Sequence, residues 1–92
     1  MNHQTIIEAV ANEYHLSEGD IYSTSRLRSF VEARGLIVYL LRKKLQYTYM
    51  KISAILHRHY STLIHAHGLT MFLIEHDSDV RNHYDNITKM LA

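Results

Sequence analysis

No proline occurs anywhere in this 92-residue chain and only three glycines do. Proline removes an intrahelical donor and clashes with the preceding turn, and glycine costs about 1 kcal/mol against alanine inside a helix, so little here compels a helix to stop. The apolar residues recur at helical spacing. Over residues 5 to 16, Ile6, Val10, Ala11 and Tyr14 share a face while Glu8, Asn12 and Glu13 lie elsewhere. Ser17 can cap a short helical turn ending near Tyr22, anchored by Leu16 and Ile21. The longest helix is expected from about Ser29 to Gln46. Its middle, Leu36 to Leu41, is apolar all round, as in a helix enclosed by neighbours. Such a run also suits a buried strand, but its length and flanking helix formers favour helix. Asp77, Ser78 and Asp79 offer caps for a last helix over about 79 to 91, with Val80, Tyr84, Ile87 and Leu91 on one face. The expectation is one all-α domain spanning residues 1–92, a compact bundle of about five to six helices.

Several classes fall away on composition. No apolar run approaches the roughly 20 residues that a membrane span needs. The first ten residues, MNHQTIIEAV, have neither a basic start nor an apolar core of the secretory kind, and cysteine is absent. The expected setting is cytoplasmic, without a membrane partner.

The formal net charge of +1 conceals a strong asymmetry. From Arg26 to Arg58 there are eight basic residues, Arg26, Arg28, Arg34, Arg42, Lys43, Lys44, Lys51 and Arg58, against Glu32 alone, a net +7. The segments before and after carry net −4 and −2. A concentrated basic block is the electrostatic footprint expected of a nucleic-acid binder, although it also suits a solvated basic face.

Beside that block lie two short helical patterns, Thr48 to His67. Thr48 can cap a first arm with Tyr49, Ile52 and Leu56 at helical spacing. The second arm carries Leu63, Ala66 and Leu69-Thr70 on one side, with Ser61, Thr62, His65 and Gly68 on or near the other. The pattern reads as a helix-turn-helix whose second helix offers a turn of small polar groups to base edges and phosphates. The second arm continues through Met71, Phe72, Leu73 and Ile74, and this C-terminal half is expected to be core. Tyr60 falls in the turn, where packing requires no large aromatic. Arg26 and Arg28 sit on a polar loop that includes the candidate caps Ser23, Thr24 and Ser25, well placed to reach phosphate or a minor groove.

Eight histidines raise the question of a metal. His65 and His67 are two apart, about 200° around a helix, so they cannot chelate together, and neither a cysteine nor a suitable carboxylate accompanies them. No metal and no cofactor are expected. His65 is expected to be a hydrogen-bonded, half-buried helix residue, with the other histidines in solvent or on phosphate. There is no phosphate-cradling glycine loop, no nucleophile elbow and no paired carboxylates, so the chain is not expected to be an enzyme.

The order of a first helix ending in Tyr14, the Leu16…Asp20-Ile21 turn, the loop Ser25-Arg26-Leu27-Arg28-Ser29, a long helix and His57-Arg58-His59-Tyr60-Ser61-Thr62-Leu63-Ile64-His65-Ala66 resembles the C-terminal DNA-binding domain of the bacterial replication initiator, DnaA. The likeness runs through nearly the whole chain. The family's segment usually reads Gly-Gly-Arg-Asp-His-Thr-Thr-Val-Leu-His-Ala. The resemblance implies a Trp-repressor-like helix-turn-helix that reads the major groove while an arginine of the basic loop enters the minor groove. Arg26 and Arg34 fall on the family's loop and long-helix arginines, Arg42 on a basic position, Arg58 on the arginine before the recognition helix, and Ser61 and Thr62 on its threonine pair. His59 and Tyr60 replace Asp-His, His57 stands for a glycine, Glu32 sits where an arginine often lies, and Gly35 replaces a common glutamine.

The resulting expectation is sequence-specific binding of double-stranded DNA, in replication initiation or its regulation. Arg26, Arg28, Arg34 and Arg42 would touch backbone or minor groove, and Arg58, His59, Tyr60, Ser61 and Thr62 would face the major groove. Replication or regulatory proteins are further possible partners. The alternative is a protein-interaction module on the same scaffold that has lost recognition of the initiator box.

Overall fold

The computed structural model describes all residues from Met1 to Ala92 as six helices: α1 (His3–Glu13), α2 (Glu18–Tyr22), α3 (Arg28–Leu45), α4 (Tyr49–Leu56), α5 (Tyr60–His76) and α6 (Ser78–Leu91). The all-α expectation holds; α3 and α6 fall within one residue of the bounds read from the sequence, whereas α1 starts two residues earlier and ends three residues earlier than read. No helix is long and apolar enough to cross a membrane.

Local chemistry sets most of the starts. Asn2 caps α1 by accepting from the Thr5 backbone N–H at 3.0 Å, and Thr48 caps α4 through the Lys51 N–H at 3.1 Å. Ser17 and Asp20 form a reciprocal capping box on α2, at 3.0 and 2.9 Å. Asp77 joins α5 to α6 by itself: its N–H closes α5 on the Leu73 carbonyl at 2.8 Å, and its carboxylate accepts from the Asp79 and Val80 N–H groups. The serines before α3 do not cap it. Leu27 occupies the cap position with no side-chain bond, while Ser25 Oγ accepts from the Leu27 N–H at 3.2 Å and so orders the loop instead.

The core is a cluster of 17 buried apolar residues. At its centre Leu36, Ile37, Val38, Leu40 and Leu41 of α3 have no exposed surface. Helix α3 packs chiefly against α5 and α1, α6 covers α1 and α5, α4 rides mainly on α5, and α2 touches α1 and α3. Ile21 is buried and Leu16 packs on the core as expected. Helices α3 and α5 come close together at Gly35, which takes the place of a glutamine common in the resembled family. A Cβ there would overlap Thr70 Oγ1, with Thr70 Cβ at 3.7 Å and the Ala66 carbonyl at 3.8 Å.

The C-terminal half of α5 departs from the expectation that it is core. Thr70 and Ile74 are buried and Leu73 is half-buried, but Leu69, Met71 and Phe72 are 43, 49 and 57% exposed, and Ile64 is 46% exposed. Only one stripe of α5 faces α3. Its apolar residues extend around the helix well beyond that stripe.

Gly35→Ala is expected to lower stability by about 1–3 kcal/mol through overpacking. The double variant Gly35→Ala/Thr70→Ala, in which the overlapping Oγ1 is gone, is expected to recover part of the loss. Thermal melts of both variants check this.

Candidate nucleic-acid interface

Helix α4 ends where His57 enters the left-handed region, at φ 56° and ψ 44°, a conformation in which glycine avoids the strain that a side chain meets. The turn is held by Ser53 Oγ, which donates to the Arg58 carbonyl, and by the Arg58 guanidinium, which donates to the Ser23 carbonyl. His59 is the N-cap of α5. Its Nδ1 accepts from the Ser61 backbone N–H at 3.2 Å and lies 2.7 Å from Ser61 Oγ, so the cap needs an unprotonated Nδ1. The His59 ring also stacks on Tyr60, with centroids 4.7 Å apart. Tyr60 is thus the first residue of α5, beyond the turn proper.

Leu63 is buried and secures the start of α5 to the core, whereas Tyr60, Ser61, Thr62, Ile64 and His65 are exposed. The first turns of α5 therefore present an aromatic ring, two hydroxyls and an imidazole. His65 is exposed, contrary to the half-buried role expected of it. The half-buried imidazole of α5 is His67, stacked on Tyr39 at 5.5 Å and edge-on to Tyr49 at 6.0 Å. Burial, aided by the nearby positive charge of Arg42, pushes its pKa below the ordinary histidine value. No group of three or more His, Asp or Glu side chains converges in a way that could hold a metal ion.

The basic residues divide by what they hold. Arg26 is exposed and takes part in none of the ion pairs or side-chain hydrogen bonds. Arg28 opens α3, exposed but bonded to Glu32 at 2.8 Å and Asp77 at 3.4 Å. This places it beside the acidic surface of Glu13, Glu32 and Asp79. There Tyr14 donates to Glu32 at 3.1 Å; burial and the Glu32 charge push its hydroxyl pKa up. Burial opposes ionisation of Glu13, yet hydrogen bonds from His83 and Asn86 outweigh it and hold its carboxyl below the usual range.

Arg34 donates to the carbonyls of Ile21, Ser25 and Ser23 at 2.9, 2.7 and 2.7 Å. Arg42 donates to the Tyr47 carbonyl at 3.0 Å and lies 4.1 Å over the Tyr49 ring, with its Nε buried and unpartnered. Lys43 bonds to Tyr84 and Lys51 sits over Tyr47. A groove of about 450 Å³ runs between the Arg26 loop and α5, with Arg26, Arg34, Arg58, Thr62, His65 and Leu69 among its walls. It brings the loop arginine and the start of α5 to one face.

A tight turn between α4 and α5, with the second helix exposed at its start and backed by a central third helix, defines a helix-turn-helix protein. The family model described as bacterial dnaA protein helix-turn-helix matches residues 3–68, and the chain belongs to that family. It is 33% identical over 90 residues to chromosomal replication initiator protein DnaA 1 of Chlamydia muridarum, an alignment covering 95% of this chain and 20% of that protein. The namesake from Chlamydia trachomatis is 30% identical over 90 residues, with the same coverage. The initiator DnaA of Campylobacter concisus is 48% identical over 40 residues, 44% of this chain and 9% of that protein. The chain spans about a fifth of the length of the first two relatives.

Two outcomes follow from the site's geometry. His59→Ala is expected to cost about 0.5–2 kcal/mol by removing the cap, whereas His59→Asp retains stability; paired thermal melts check this. His67 is held neutral in the fold, so its stabilisation is complete above the unfolded pKa of about 6.5 and is lost as the pH falls through that value towards the lower folded one. His67→Phe keeps an aromatic ring but cannot ionise. The melting temperature of His67→Phe relative to wild type should therefore rise as the pH is lowered from about 7.5 to 5.5.

Proposed function

We propose that the chain binds double-stranded DNA sequence-specifically, in replication initiation or its regulation, with the start of α5 in the major groove and Arg26 reaching the minor groove or backbone. The observation that carries this reading is the shared face of an exposed, unpaired Arg26 and an exposed α5 N-terminus made of Tyr60, Ser61, Thr62 and His65, with His59 beneath them as the cap. Family membership and relatives named as chromosomal replication initiators support it. Among the other arginines expected at the interface, Arg28 contributes least, since its charge is spent on Glu32 and Asp77. Arg34, Arg42 and Arg58 keep their positive charge while their guanidinium groups donate inward.

A second reading, a protein-interaction module, draws on the exposed apolar residues Ile64, Leu69, Met71 and Phe72 of α5. A contiguous exposed apolar patch of sufficient size marks an interaction site.

Selection of duplexes from a random pool at two salt concentrations separates the two. For the DNA-binding reading we expect an enriched sequence and a log–log salt slope of roughly −4 to −5, as about four to six phosphate contacts give. Tyr60→Ala is expected to change the enriched sequence, while Phe72→Ser leaves it and the affinity unchanged. No duplex binding at low salt rejects the reading and leaves the interaction module.

A further inference from the structure

Arg34 and Arg58 are expected from the sequence to touch DNA, yet both guanidinium groups turn onto the backbone of the loop that carries Arg26. Residues 23 to 26 lie outside any helix, so their carbonyls need donors from elsewhere. Arg34 supplies them at Ser23 and Ser25. Its Nε takes the Ile21 carbonyl, Nη1 the Ser25 carbonyl at 2.7 Å, and Nη2 the Ser23 carbonyl at 2.7 Å together with Ser23 Oγ at 3.2 Å. One planar fork thereby gathers three carbonyls spaced two residues apart. A lysine ammonium, compact and at the end of a flexible stem, does not reproduce this arrangement.

Arg58 comes from the other side. It is 35 positions away from Ser23 in the sequence, and it donates to the same Ser23 carbonyl, while its own carbonyl accepts from Ser53 of α4. Two cations thus converge on one carbonyl oxygen. Burial, and then the neighbouring Arg58 charge, lower the Arg34 pKa. Neither Arg34 nor Arg58 takes part in an ion pair with a carboxylate. The Ser23 carbonyl is the point at which α3, the Arg26 loop and the turn before α5 are tied together.

We propose that Arg34 and Arg58 are positioning residues. They clasp the Ser23–Ser25 backbone so that Arg26 is held in fixed register with the start of α5, and they act on DNA through Arg26 rather than by contacts of their own. This rests on the DNA-binding reading above and deepens it. Two DNA-facing elements joined by a floppy loop would each lose conformational entropy on binding, whereas a clasped loop has been ordered by folding.

The test compares the 92-residue chain with Arg26→Ala, Arg34→Lys, Arg34→Gln and the double variant Arg26→Ala/Arg34→Lys, using a short fluorescein-labelled A·T-rich duplex titrated at several salt concentrations. Arg34→Lys keeps the charge and loses the fork. The expected result is that Arg34→Lys weakens binding about as much as Arg26→Ala and lowers the salt slope by about one, while the double variant is no weaker than Arg26→Ala alone. Near-wild-type affinity of Arg34→Lys, or losses that multiply in the double variant, would overturn the proposal and make Arg34 a contact in its own right.

Amide hydrogen exchange in the DNA-free protein reads the clasp separately. Exchange at Ser25 and Leu27 should speed up in Arg34→Lys and Arg34→Gln and remain unchanged in Arg26→Ala, with α3 and α5 amides as protected as in wild type. Unaltered loop exchange overturns the clasp whatever the DNA result. Failure of the wild-type chain to bind the duplex at low salt overturns the DNA-binding reading, and with it the role given to the clasp. If Arg34→Gln loses the fold, Arg58→Gln replaces it, removing one arm of the clasp while leaving Arg34 in place.

Discussion

Burial of the middle of α3 is the constraint on which the rest of the structure depends. Leu36, Ile37, Val38, Leu40 and Leu41 leave no polar face across this segment, so the helix has to be covered on every side. Each such side chain is worth roughly 1.5–3 kcal/mol when fully buried. Together the five contribute roughly 7.5–15 kcal/mol, comparable with the whole net stability of an ordinary domain, about 5–15 kcal/mol. The positions of α1 and α5 are therefore not free, and α6 closes over the two of them. The recognition element inherits its orientation from behind: Gly35 admits α5 to close range at Thr70, Leu63 pins the start of α5, and α4 follows because it packs mainly on α5.

Charge and hydrogen-bonding capacity part company across the basic block. The net +7 between Arg26 and Arg58 creates a positive potential wherever those charges sit, and a carbonyl partner does not neutralise a guanidinium. Donors, however, are consumed one by one. Arg34 has spent its fork on the loop, Arg58 reaches inward, and Arg42 lies under Tyr49. Only Arg28 has its charge balanced locally, by Glu32 and Asp77. The block thus carries a long-range positive potential, while the arginine of the loop that keeps its donors free is Arg26.

Local signals made most of the fold legible in the sequence. Ser17, Thr48 and Asp77 are the capping residue types in the capping places, and the enclosed helix is visible as an apolar run with no polar gap. The same reasoning fails on α5. Leu63, Ile64, Leu69, Met71, Phe72, Leu73 and Ile74 surround the helix so fully that periodicity cannot say which stripe is buried, and exposed residues pass for core. Assigning the half-buried role to His65 rather than His67 is a consequence of that ambiguity. At the site, the helix-turn-helix was readable because its two arms are local. The partners of Arg34 and Arg58 were not, because they lie 9 to 35 positions away in the chain on irregular backbone that no periodic pattern describes.

The turn itself shows why two residues that look unfavourable can persist. His57 adopts a left-handed conformation where the resembled family carries glycine, between the buried Leu56 and Arg58, whose guanidinium is bonded to the Ser23 carbonyl. Its ring lies 6.3 Å from that of Tyr22, a contact that glycine cannot make and that partly offsets the backbone strain. His59 caps α5 with a neutral ring nitrogen in place of the family's carboxylate. A carboxylate would interact better with the helix dipole, but it would also put a negative charge beside the basic block. The ring nitrogen satisfies the orphan N–H of Ser61 without adding a negative charge there. The replaced residues thus leave the first turn of α5 without a carboxylate, so no negative charge there offsets the basic block beside it.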